Sequence, residues 1–147
     1  MTGMHHILAP LAALALCAAA PHAAALDRLV TCPAELPQQA VKITAGAGWV
    51  PRIEAPLPLH AAGMSAGPPG SQPALPGVEI HKTGEQVSTR YGFNPDARPN
   101  HVWLDCRYGE GGEVSISRRL DERTRECTIT MFKPVPDTPR RIDMKCN

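Results

Sequence analysis

A serine between glycines, three scattered histidines and four cysteines are the residues of this chain that could do chemistry. Gly63-Met64-Ser65-Ala66-Gly67 matches G-x-S-x-G letter for letter. That pattern makes a nucleophile only where a strand runs into it and a helix leaves it, because the strained turn between them holds the serine out. Here Pro56 and Pro58 precede the match and Pro68 and Pro69 follow it, so the sequence assigns Ser65 no catalytic role. His60, His81 and His101 stand about twenty residues apart, with no i,i+2 or i,i+4 pair to preform a metal site. They read as surface histidines, and neither a metal nor a cofactor is expected.

Cys32, Cys106, Cys127 and Cys146 are not arranged in C-x-x-C pairs, which sets zinc and redox sites behind structural disulfides. The start of the chain says why. Ile7 to Ala20 is an apolar, uncharged run, too short for the ~20 residues a bilayer span needs. Pro21 and His22 end it, and Ala23-Ala24-Ala25 supplies the small residues of a signal-peptidase site. Residues 1–25 are therefore read as a signal peptide, although their n-region holds no Lys or Arg. Cys17 offers an alternative, a lipoprotein anchored there, against which stands the bulky Leu16 before it. An even set of thiols sent to an oxidising compartment reads as two disulfides.

Residues 26–147 are enough for one domain. The formal net charge of +1 gives no field that would draw nucleic acid or a membrane surface. Aromatic residues make up 4% of the chain, so the core is thin and two bridges carry a large share of the stability.

The elements that position these residues are strands. Val41-Lys42-Ile43-Thr44 has the alternation of a short strand, and Val78–Lys82 and Gln86–Tyr91 flank Thr83-Gly84-Glu85 as a hairpin. Between them residues 51–77, dense in Pro, Gly and Ala, read as a long loop or arm. Asn94-Pro95-Asp96 and Arg98-Pro99-Asn100 are turn chemistry. Four alternating runs follow, through Val102–Tyr108, Val114–Leu120, Cys127–Met131 and Ile142–Cys146. No stretch has a helical period. The expectation is a mainly β, single antiparallel domain, its C-terminal part a four-strand meander and the whole possibly a two-layer sandwich.

Four cysteines allow three pairings. In a simple meander Cys106 and Cys127 would be separated by the intervening strand, near ~10 Å, too far for a bond. Cys127 and Cys146 fall on consecutive strands, so Cys127–Cys146 with Cys32–Cys106 is favoured. Parity puts Arg118 on the apolar face of its strand, where it would snorkel, pair with a buried carboxylate or reach carbonyls. The functional alternative is an anchor for an acidic group. The other arginines of this end, Arg119, Arg123, Arg125, Arg140 and Arg141, read as a solvated face. Trp103 has the opposite parity to Leu104. Either the N-terminal half covers it, with Trp49 also buried, or it is an exposed anchor for a partner.

Cys32-Pro33, Gly48-Trp49, Trp103-Leu104-Asp105-Cys106-Arg107-Tyr108, Arg118 with Leu120, Cys127, and Ile142 to Cys146 together form a signature. It resembles a family of small exported Gram-negative proteins labelled by the prefix STY. That resemblance implies export and compactness and supplies no mechanism.

The functional expectation is a non-enzymatic binding module of the bacterial envelope, inhibitor- or immunity-like, periplasmic or secreted, whose partner is a protein or envelope component. Trp103 and Arg118 are its candidate contact residues. A small hydrolase or ligand carrier of the periplasm is the alternative, with its site assembled from scattered His, Ser and Asp. A structural envelope accessory is another. The sequence does not set the oligomeric state.

Overall fold

A computed structural model describes residues 30–70, 73–94 and 101–147. The signal-peptide segment, Cys17 and most of the residues read as turns between 94 and 100 lie outside the described residues. Within them the chain forms strands β1 (Glu35–Leu36), β2 (Leu57–Ser65), β3 (Val78–Lys82), β4 (Gln86–Gly92), β5 (Trp103–Tyr108), β6 (Val114–Arg119), β7 (Glu126–Phe132) and β8 (Ile142–Cys146), plus a 3-10 turn at Gln38–Ala40. The fold is mainly β, as the alternation predicts.

The strands make two antiparallel four-strand sheets, in the orders β1-β2-β5-β6 and β3-β4-β7-β8. This corrects the four-strand meander: β5–β6 and β7–β8 are hairpin pairs in different sheets. The chain changes sheet at a corner after Leu120, which is buried and donates its N–H to Val102 O at 2.9 Å. Asp121 closes the corner, its carboxylate taking the Arg123 N–H at 2.9 Å and its carbonyl the Thr124 N–H at 3.0 Å. Energetics favour the split. Four strands with one apolar face each, left in one sheet, would leave that face to water, whereas two sheets cover each other.

Proline density misleads over residues 51–77. β2 is an interior strand, bonded to β1 on one side and β5 on the other. Pro56 stands before it, Pro58 at its second residue opposite the very short β1, and Pro68 after it, so Leu59 to Ser65 is free of proline. Its alternation is hidden by an irregularity between Leu59 and Ala61, which lets Leu59 join Ala62 and Met64 on the buried side. The Val78–Tyr91 hairpin stands where the sequence puts it. Thr83 Oγ1 accepts the N–H groups of Glu85 and Gln86 at 3.2 and 3.1 Å in its turn.

The core lies between the sheets. Tyr108, Met64 and Leu104 come from one and Ile129, Met144 and Cys127 from the other, all under 2% exposed. The leucine, isoleucine and methionine side chains among them are each worth about 1.5–3 kcal/mol of burial. Tyr108 donates its hydroxyl to Pro33 O at 3.0 Å, which fixes the N-terminal segment over the sheet. The same segment is bonded covalently: Cys32 pairs with Cys106, with Cα atoms 5.7 Å apart. Cys127 pairs with Cys146, directly opposite in the β7–β8 ladder. Cys106 and Cys127 belong to different sheets, so the reason they do not pair is not an intervening strand.

Other N-terminal expectations change. Val41 to Thr44 forms no strand, and Trp49 is 79% exposed, not buried. The turn from Gly46 closes on the Trp49 N–H at 3.1 Å and uses Gly48 at φ 85°. It carries Trp49 and Val50 outward, away from the core that Trp49 was expected to join.

Candidate functional site

The face of the first sheet that points away from the core brings serine hydroxyls together with one carboxylate and one guanidinium. Register sets its members. Ser65 lies opposite Trp103, Gly63 opposite Asp105 and Ala61 opposite Arg107; across β6, Asp105 faces Ser117 and Arg107 faces Ser115. β2 gives this face only small side chains, and open space stands above Gly63. The result is a cleft of about 150 Å³ lined by Ser65, Asp105, Arg107, Ser115 and Ser117, walled by Pro69, Gly70 and Ala74.

Inside it, Ser117 donates its hydroxyl to the Asp105 carboxylate at 2.5 Å, holding that charge in place. Arg107 is exposed and makes no hydrogen bond or ion pair to a described residue. Its charge acts on Tyr91, whose hydroxyl burial raises above the usual phenol range and Arg107 partly draws back. The arrangement can orient a partner's polar and charged groups.

Trp103 is half-buried at the end of this face, between Ser65 and Arg119. Arg118 is exposed, although parity gives it the core-facing side of β6. The reason is position: β6 is the outer strand of its sheet, and its neighbour Ile116 is itself 38% exposed. Among the described residues no buried carboxylate meets Arg118. Ser65 is buried and spends its hydroxyl on Gly67 O at 3.1 Å. His60 is on β2, His81 on β3 of the other sheet, and His101 before β5 beside Arg119 and Glu122. Among the described residues no three His, Cys, Asp or Glu side chains converge on a metal position.

The basic end is mostly neutralised locally. Arg119 meets Glu122, Arg123 meets Asp121, and Arg141 meets Asp143 while lying over the Phe132 ring. The residue that sequence reasoning missed is Arg140. Its backbone N–H reaches Leu59 O at 3.0 Å, its Nε Phe132 O at 2.8 Å, and its Nη1 His60 O at 3.4 Å. It is a clamp between the two sheets, and no local pattern in the sequence distinguishes it from its neighbour Arg141.

Residues 54–147 match a family model described as Type VI secretion system Tli immunity protein. No curated protein and no solved structure matches the chain. The match begins just before β2, includes every residue that lines the cleft, and covers well over half of the sequence. The chain therefore belongs to the Type VI secretion system Tli immunity protein family.

Proposed function

We propose that this chain is an exported immunity protein that neutralises a toxin in the periplasm by binding it, without catalysis, through a surface that includes Trp103 and Arg118. The carrying observation is the family match across strands β2 to β8. It fits the inhibitor- or immunity-like reading, and neither a hydrolase or ligand carrier nor a structural accessory. Two disulfides in so small a domain favour an oxidising compartment. Cleavage after Ala25 rather than lipidation of Cys17 completes the route. The cysteine and tryptophan frame keeps its resemblance to the STY-prefixed exported proteins as part of the same reading.

Export is testable directly. Bacteria carrying the toxin of the same gene cluster, directed to their own periplasm, should survive with the full-length chain and die with a form lacking residues 1–25. Equal protection by the leaderless form would overturn the periplasmic assignment. A Trp103→Ala variant should bind that toxin at least ten-fold more weakly, since half-buried aromatic residues at interface centres often dominate affinity. Unchanged affinity in a calorimetric titration would remove Trp103 from the contact.

A further inference from the structure

The strands that end each sheet differ in how well they are guarded. β1 has two residues, and β3 carries an irregularity between Glu79 and His81 together with a Glu79–Lys82 ion pair at 3.7 Å. β8 is five residues long and half of a disulfide-closed ladder. β6 has six residues, no proline and an unbroken register with β5. No hydrogen bond to a described residue occupies its outer backbone edge. Unpaired N–H and C=O groups in a regular row are a template for another strand.

The side chains on that strand say what kind of strand would fit. Ile116 and Arg118 share one side of β6, both exposed, while Ser115 and Ser117 share the other. Arg118 has no hydrogen bond or ion pair to a described residue, whereas Arg119 is held by Glu122. A cation left free beside an exposed isoleucine suits an apolar and an acidic residue two apart.

Resting on the immunity reading, we infer that the toxin adds an extended segment to the open edge of β6, its apolar residue on Ile116 and its carboxylate on Arg118. Backbone bonds supply affinity and the alternating side chains supply selectivity. The test is hydrogen exchange of the full processed chain, alone and with the purified toxin of its own gene cluster. Amides within residues 114–119 should exchange at least ten-fold more slowly in the complex, with those of β3 and β8 unchanged. Arg118→Glu and Ile116→Asp, both at exposed positions, should weaken binding ten-fold or more while the melting temperature stays put. A complex that leaves the β6 amides as fast as in the free chain would overturn the inference and leave the immunity reading standing. Toxin affinity unaffected by Arg118→Glu would overturn it too and remove Arg118 from the proposed contact, and so would a free chain that sediments as a dimer with these amides already protected. If no complex forms, both readings fall together.

Discussion

At the scale of single residues, two arginines exchange the roles their sequence positions suggest. Arg118 has core parity yet stands in solvent, because parity says which side of a sheet a residue takes and not whether anything covers that side. Arg140 looks like one more charge in a basic tail, yet its contacts are carbonyls from both sheets. Planar, forked geometry matters there more than charge. Arg140→Ala should therefore cost about 2 kcal/mol in urea unfolding, and Arg140→Lys should recover little of it. A loss under about 0.5 kcal/mol, the scale of ordinary surface changes, would show that the clamp is incidental. The hydroxyl of Tyr108 donates to Pro33 O, so Tyr108→Phe should cost about 1 kcal/mol. Neither contact was legible beforehand. Each joins segments far apart in the chain, and local spacing carries no record of that.

At the scale of elements, alternation served well wherever it was regular. β5, β6, β7, β8 and the β3–β4 hairpin lie where apolar period two places them, within a residue or two. β2 was hidden because an irregularity breaks its period and because alanine and glycine give it a weak apolar signal. The split into two sheets was hidden for another reason. A turn that continues a meander and a corner that leaves it both read as polar residues between strands. The β5–β6 turn also sets a pH test. Glu113 accepts the Gly111 N–H at 3.0 Å and interacts with its own N–H, and these bonds, its own first, hold its carboxyl below the usual carboxylate range. A depressed folded value contributes order that is present above the ordinary carboxylate pKa and is lost as pH falls through the lower, folded one. The Gly111 amide resonance should titrate with a midpoint below that of an unperturbed glutamate. A midpoint at or above it would show that the bond is not held in solution.

At the scale of the molecule, the disulfide pairing was the most readable feature, since cysteine number and the order of the strands that carry them are properties of composition and order. The partner was not readable, because a binding surface has no spacing rule of the kind that marks a metal site. The two bridges differ in the length of chain they close, with separations of 74 and 19 residues. Chain-entropy scaling gives about 4.5 kcal/mol for the first and about 3.3 kcal/mol for the second. Replacing Cys32 and Cys106 together by alanine should thus lower stability more than replacing Cys127 and Cys146. The reverse order in denaturant melts would mean that the N-terminal segment stays loosely held even when bridged.

Titration of purified toxin with the processed chain tests neutralisation by binding most directly. Toxin activity should fall linearly to zero at a fixed small-integer stoichiometry, with the intact masses of both proteins unchanged. Complete loss of activity at a small fraction of an equivalent, or a new mass on the toxin, would contradict the account, because a binder cannot act more than once.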